Sequence, residues 1–471
     1  MTKSPPDLVL PGSRAAHFLP WMVAVAFFME SLDTSILNTA LPHLAAALQV
    51  SVLDAKIALT TYTLSTAIFI PASGWTAERF GTRRTFAAAV LVFTLSSLLA
   101  GLAPSLSFLV AARMLQGLGA AMMMPVGTMA MVRTFPKGQL VQMMSFVAIP
   151  GLIGPLLGPA LGGAIVHFSY WRMIFFINVP IGLLGCFVIL YAMPDYRKDR
   201  PAPFDVAGFI LFAAGIALGS YALEQLSNRR AGWAAGILGA AVVFLLLYCR
   251  HAMRESTPLL QLRLFRARTF RLAITGNLLM RLGVGGMPFL LPVLYQLVLG
   301  YAPWAAGLLI LPQALAAMLM KRMIEPILNR FGYRRVLVAN TVLICAQIAF
   351  FATAAPGMAT MSLVVQAAGF GLTTSLQYGA INTLVFSDLS GPETAMGTSI
   401  SSTMHHLALS LGVATAALVV GMFLQKAPHA DATEIARALR QALLVLSGLA
   451  MSSLILFARL HPHDGKRLSG N

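Results

Sequence analysis

The sequence predicts an all-α, polytopic membrane protein: two six-helix bundles with two additional transmembrane helices between them. Three observations carry this. First, 58% of the 471 residues are hydrophobic and only 10% are charged, with a mean hydropathy of +0.78, whereas soluble domains carry roughly 25% charge. Second, apolar runs near the ~20 residues needed to cross a bilayer recur at 18–41, 54–75, 85–103, 106–131, 141–166, 171–193, 206–224, 232–249, 271–299, 304–325, 336–355, 358–386, 396–424 and 438–460, fourteen in all. Third, Arg79-Phe80-Gly81-Thr82-Arg83-Arg84 after span two returns as Arg330-Phe331-Gly332-Tyr333-Arg334-Arg335 after span ten, five of six residues matching across 251 positions. A shift of eight spans is six plus two, so the simplest account is two parallel halves with a helix pair inserted between them. The expected organisation is a tail (1–17), a first bundle (18–193), a linker holding the inserted helices and a basic interfacial segment (194–270), a second bundle (271–460) and a second tail (461–471).

The net charge of +17 would suggest nucleic acid in a soluble chain. Its distribution argues otherwise. An even span count puts both termini on one side; with that side cytoplasmic, and residues within four positions of a span end assigned to the adjoining loop, 24 of the 33 Lys and Arg belong to cytoplasmic tails and loops, 7 to the outer side and 2 to the membrane. This is the positive-inside bias, densest at 250–271 and 321–335, and it accounts for the charge without nucleic acid. The first span is long, contains acids and lacks a small-residue cleavage site, which predicts an uncleaved anchor. Cys186, Cys249 and Cys345 are isolated within spans, so neither a disulfide framework nor a metal site is expected.

Span one contains Glu30 and Asp33, and an acid in hydrocarbon costs at least ~2.5 kcal/mol, which makes the pair functional candidates. Three residues apart, they share one helix face. Asn38 adds a polar group to the same span as a cavity candidate. The loop after span two, with Gly74, Glu78, Arg79, Gly81, Arg83 and Arg84, and its repeat with Arg330, Gly332 and Arg334, are either topological anchors or gates that latch one side. Span four carries Arg113, which requires a carboxylate or carbonyls nearby, and Gln116 as a cavity candidate. Glu30 and Asp33 are the obvious partners; Glu30 is either an added proton site or a polar wall residue paired to Arg113. In span five, Gly151, Gly154, Gly158 and Gly162 form a stripe that permits close helix approach, and Pro155 and Pro159 bend the axis, making this a gating candidate. Pro194 to Pro203 reads as a hinge-like break before the inserted pair.

Span nine carries Arg281 followed by Gly283, Gly285, Gly286 and Pro288, suited to a locally irregular helix beside a cavity. Gln377, Tyr378 and Asn382 punctuate span twelve. His405 and His406 sit in span thirteen, about 100° apart on a helix, so one of them at most should face a central path.

The stretch Gly74 to Arg84 resembles the cytoplasmic signature of the major facilitator superfamily, with Glu78 where that family usually has Asp. Arg113-Met114-Leu115-Gln116-Gly117-Leu118-Gly119 is similar to its fourth-helix signature, whose Arg is implicated in proton transfer, and Gly151 to Gly163 is similar to the signature of its exporting antiporters. Leu32 to Pro42, Trp171 to Gly182 and Thr257 to Phe265 resemble the fourteen-span drug:proton antiporters, most closely the MdtD-type bacterial exporters, in which a neutral amide tends to stand at the Glu30 position.

The resemblance implies a proton-coupled exporter of the bacterial cytoplasmic membrane with roles in multidrug efflux and antibiotic resistance. In it Asp33 and Arg113 couple to protons, with Glu30, which departs from the pattern, an added proton-coupling candidate from its place in the membrane; no cofactor is expected beyond the proton itself, and small molecules and lipid are the expected partners of a monomer. Arg281 and the histidines leave open a same-fold exporter of a specific metabolite such as an organic anion or anionic metal chelate. A membrane-embedded transferase is a remote third reading, since no loop exceeds two dozen residues and no nucleophile-base pair, nucleotide loop or metal-ligand spacing occurs.

Overall fold

The computed structural model describes residues 14–199, 201–227, 231–389, 391–424, 432–461 and 464–465; the expected tails lie largely outside them. Among these residues there are helices and no strands. The first half contains α1 (Arg14–Ala47), α2 (Val52–Phe80), α3 (Thr82–Gly101), α4 (Leu106–Thr134), α5 (Lys137–Phe168) and α6 (Met173–Ala192). The inserted pair is α7 (Val206–Ser227) and α8 (Ala231–Arg254). The second half contains α9 (Arg268–Val298), α10 (Pro303–Lys321), α11 (Tyr333–Phe351), α12 (Thr360–Val385), α13 (Gly391–Phe423) and α14 (Thr433–Phe457).

Thirteen of these are long and apolar enough to cross a membrane. The remaining one, α12, has 26 residues but is diluted by Gln366, Thr373, Thr374 and Gln377. Every expected span coincides with a helix. Outward-facing Leu184, Phe187, Trp233, Leu246, Met361 and Val365 are strongly exposed, the inverse of a soluble surface and what hydrocarbon requires.

The repeated six-residue segment has one backbone in both copies. Gly81 ends α2 and begins α3 with φ 96° and ψ 149°; Gly332 ends a short helix, Ile324–Phe331, and begins α11 with φ 77° and ψ 156°. Only glycine adopts positive φ there without strain.

Three clusters of buried apolar side chains divide the molecule along its axis. One, at the end where α1 meets α2, mixes both halves, from Leu37, Leu41 and Leu44 to Leu290, Leu294 and Val420. At the opposite end a second cluster, including Val23, Phe86, Phe93 and Met131, lies wholly in the first half. The third joins α7 and α8 to the second half and meets the first only through α2, at Leu64, Ala67 and Ile68. The halves are therefore sealed together at one end and separately packed at the other.

Close contacts hold the seal. A Cβ on Gly163 of α5 would strike the Pro303 carbonyl of α10, and one on Gly307 of α10 would strike the Pro159 carbonyl. Gln296 Nε2 donates to the Thr39 carbonyl at 2.9 Å, and Ser410 Oγ of α13 donates to the Thr60 carbonyl of α2 at 3.1 Å.

The segment expected as a hinge-like break, Pro194 to Pro203, runs as a strap across the α2–α3 loop. Thr82 N–H donates to the Tyr196 carbonyl at 3.1 Å, Arg83 N–H to Asp195 Oδ1 at 3.1 Å, and Trp75 Nε1 to the Ala202 carbonyl at 2.8 Å. The Asp195 carboxylate occupies the space a Cβ on Gly81 would need. Beyond it, Asp205 anchors the inserted pair by accepting from Gly208 N–H at 2.8 Å and Leu259 N–H at 3.1 Å, and by pairing with His251 Nε2 at 2.7 Å. Burial pushes the Asp205 carboxyl up, but these hydrogen bonds outweigh it and hold it below the usual carboxylate range.

Candidate functional site

Midway along the axis, beyond the seal, lies a cavity of 480 Å³ between the halves, a size suited to a small organic molecule. Its wall is largely apolar, with Phe27, Leu59, Tyr62, Pro159, Pro292 and Leu409 among the lining residues. Polar groups come from Glu30, Thr34 and Asn38 on α1, Arg113 on α4, Gln313 on α10 and the two histidines on α13.

Asp33 does not line the cavity; it sits one layer behind, 1% exposed. Arg113 Nη1 pairs with Asp33 Oδ2 at 2.5 Å and donates to Gln116 Oε1 at 2.7 Å. Gln116 Nε2 closes the triangle onto Asp33 Oδ1 at 2.9 Å. Arg113 Nε donates to the Ala58 carbonyl at 3.1 Å, and its guanidinium lies 4.2 Å from the Tyr62 ring centre. Asn178 Nδ2 of α6 reaches Ser97 Oγ of α3 at 3.2 Å and Asp33 Oδ1 at 3.4 Å. Helices α1, α2, α3, α4 and α6 thus all meet at one buried carboxylate. A buried pair holds only when its remaining donors and acceptors are satisfied, and here almost every one has a partner.

Glu30 behaves differently. The reading that pairs it to Arg113 is corrected: Arg113 is committed to Asp33, and the basic side chain that approaches Glu30 is the His406 imidazole of the other half, Nε2 to Oε1 at 4.0 Å. Glu30 Oε2 and His406 Nδ1 are buried without a hydrogen-bond partner among the described residues. Both histidines line the cavity, their ring centres 5.3 Å apart. The expectation that one at most faces the path is therefore corrected too. The cavity is broad enough at α13 to take in side chains 100° apart.

Of the other residues expected in the cavity, Asn38 lines it, whereas Gln116, Arg281, Gln377, Tyr378 and Asn382 do not. Gln116 belongs to the Asp33 cluster. Arg281 Nε donates to Asn277 Oδ1 at 3.1 Å, and its guanidinium lies 4.0 Å from the Tyr378 ring centre, so that cation is already engaged by its own half. Gln377 bridges α12 to α11 through Asn340 at 2.8 Å and Thr341 at 3.0 Å. Asn382 is exposed further along α12. Polarity within a span identified them; which side of the helix faces the cavity depends on packing that one chain's sequence leaves open.

The glycine stripe of α5 fits against α1. A Cβ on Gly151 would enter the Phe27 ring, on Gly154 the Ser31 side chain, on Gly158 the Ser35 side chain and on Gly162 the Ile36 carbonyl. Ser35 Oγ donates to the Gly154 carbonyl at 3.1 Å, while Gly151, Pro155 and Pro159 face the cavity. In α9 the helix breaks at Gly285 and Gly286 and ends in a π turn, Leu294–Val298, with Pro288 and Pro292 on the cavity wall. Its glycines also let it approach α13 and α14, where Cβ atoms on Gly286 and Gly283 would meet Ala416 and Ala450.

In the α2–α3 loop, Glu78 pairs with Lys198 of the strap at 2.6 Å and Arg133 of α4 at 3.8 Å. Gly74 sits beside Met129 with room for a Cβ, and Arg79 and Arg84 are exposed, as are Arg330 and Arg334 in the second copy. Sequence reasoning missed Asn178, Ser97 and Tyr62 around Asp33, and Thr34 and Gln313 on the cavity wall. Asn178 was the most accessible to sequence reasoning, as a lone amide in an otherwise apolar span.

The profile of the Major Facilitator Superfamily matches residues 23–413. A protein named for multidrug resistance, MdtD of Salmonella typhi, is 40% identical over 450 residues, covering 94% of each chain; the Salmonella typhimurium counterpart matches to the same extent. Among solved structures, a POT family transporter, PepTSo, superposes with a TM-score of 0.70 at 15% identity over 96% of this chain and 98% of that one. A D-xylose–proton symporter gives 0.67 at 12% identity over 96% and 99%. These two likenesses concern the fold.

Proposed function

Since the chain belongs to the major facilitator superfamily, we propose that it is a proton-driven exporter of small organic molecules of the multidrug type, working by alternating access in a bacterial inner membrane. The observation that carries this reading is the buried Asp33–Arg113–Gln116 cluster standing directly behind the wall of an apolar cavity between two pseudo-equivalent halves. An acid held in hydrocarbon by a single cation has two self-consistent states, charged and paired or protonated and released. The relatives named for multidrug resistance support the substrate class. The organic-anion reading is weakened, because Arg281 is engaged by Asn277 and Tyr378 rather than presented on the cavity wall.

With the basic loops placed on the cytoplasmic side, the sealed end is the outer one and the structure corresponds to the inward-facing state. Substrate enters the cavity from the cytoplasm, past Glu30 and His406, which bridge the halves. Rocking of the halves about the cavity opens the outer end. A proton from outside then protonates Asp33, Arg113 is released toward the wall, substrate leaves, and return to the inward state delivers the proton to the cytoplasm.

The test uses proteoliposomes containing the full chain, a pH gradient and a fluorescent lipophilic drug. Drug addition is expected to drive proton movement in the wild type and none in Asp33→Asn. Unchanged proton movement in that variant, with normal folding by size-exclusion chromatography, would remove Asp33 from the mechanism.

A further inference from the structure

At the end of the molecule opposite the seal, α9 begins and α14 ends side by side. Between them lies a cleft of 490 Å³ lined by Arg268, Arg271, Leu272, Thr275, Leu456 and Arg459. The arrangement is graded. Arg268, Leu272 and Thr275 follow one another along one face of α9, and Leu456 lies in the last turn of α14 with Arg459 in the turn just after it, so guanidinium groups cluster at the lip and apolar side chains line the part that runs toward the membrane interior.

The arginines are only partly occupied. Arg268 lies 3.5 Å from the Asp464 carboxylate and also donates to the Arg459 carbonyl. Arg271 donates to the Phe265 carbonyl at 3.3 Å. The Arg459 guanidinium makes no ion pair among the described residues. Three cations against one carboxylate leave a net positive lip. Its donors match phosphate oxygens in the bidentate manner guanidinium favours.

We propose that this cleft is a binding site for an anionic phospholipid, its phosphodiester on Arg271 and Arg459 and an acyl chain along Leu272 and Leu456. A free phosphate would satisfy the lip but leave the apolar part unused, whereas a phospholipid at the bilayer surface presents both chemistries at matching depths. The lipid would tie the start of α9, which continues to Arg281 and the cavity prolines, to the end of α14. The site is separate from the transport cavity, so it stands whatever the exported molecule proves to be.

Native mass spectrometry of the full-length protein, delipidated and titrated with phosphatidylglycerol or phosphatidylcholine, tests this. Phosphatidylglycerol is expected to bind the wild type in preference, and Arg271→Gln/Arg459→Gln to weaken that binding about thirty-fold, from roughly one surface-charge increment per arginine. Arg271→Lys/Arg459→Lys keeps the charge and should retain most of the affinity, which separates lost binding from lost folding. Arg334→Gln/Arg335→Gln, elsewhere on the same basic surface, should leave it unchanged. Equal binding by wild type and the Gln pair, equal binding of the two lipids, or inorganic phosphate alone occupying the site as tightly would each overturn the proposal.

Discussion

At the residue scale, the two acids of the first helix have separate environments. Asp33 is enclosed by Arg113, Gln116 and Asn178, while Glu30 faces the cavity and His406. That both acids are special was legible from their setting, because an ionisable group in an apolar run needs a reason. Their division of labour was not, since it rests on which way each side chain points and on a histidine 376 positions away in the sequence. The geometry makes a sharp demand on Arg113, whose guanidinium bonds in two directions and stacks on Tyr62. Arg113→Lys keeps the charge but has neither the fork nor the flat face. It is expected to abolish substrate-driven proton movement in proteoliposomes and to lower the thermal midpoint, as each buried acceptor left without its donor, the Ala58 carbonyl or Gln116 Oε1, costs about 1–3 kcal/mol. Transport at wild-type rate would show that only the charge matters.

At the element scale, the glycines separate into two kinds. Those of α5 are small because α1 lies against them, and those at the two repeated loops are needed for their backbone angles. The repeat was visible in the sequence as five shared residues, and the fold gives the reason in a common positive φ at Gly81 and Gly332. Sequence reasoning did not foresee the strap, because Pro194 to Pro203 has the composition of a hinge and its docking depends on partners more than a hundred positions earlier. The strap adds a second demand at Gly81. Gly81→Ala meets both a strained φ and the Asp195 carboxylate, and Gly332→Ala meets a strained φ of the same kind. Each should destabilise by about 1–3 kcal/mol, and Gly81→Ala/Asp195→Ala should recover part of the Gly81→Ala loss. Thermal unfolding of purified protein checks this; a double variant no more stable than Gly81→Ala would mean the Asp195 contact bears little on that loss.

At the scale of the whole molecule, fold class and span order followed from apolar run length and the repeat, because lipid imposes a length and a composition on every crossing. The state of the transporter did not, since both halves keep the same helices whichever end is closed. The separate core clusters at one end and the shared cluster at the other predict an access pattern. With Cys186, Cys249 and Cys345 replaced, Ala314→Cys on the cavity wall should react with a membrane-impermeant maleimide in inverted vesicles and resist it in right-side-out ones. An imposed outward-opening pH gradient should reverse the preference, and labelling from both sides at all times would contradict a two-state gate. One further consequence follows from the placement of Asp33 a layer behind the cavity. A proton carrier open to the same water as the drug would exchange with the cytoplasm on every visit and dissipate the gradient without moving cargo. If Asp33 carries the proton as proposed, its screening by Arg113 and Gln116 would insulate it against that slippage and tie the energy of the gradient to turnover rather than to leak.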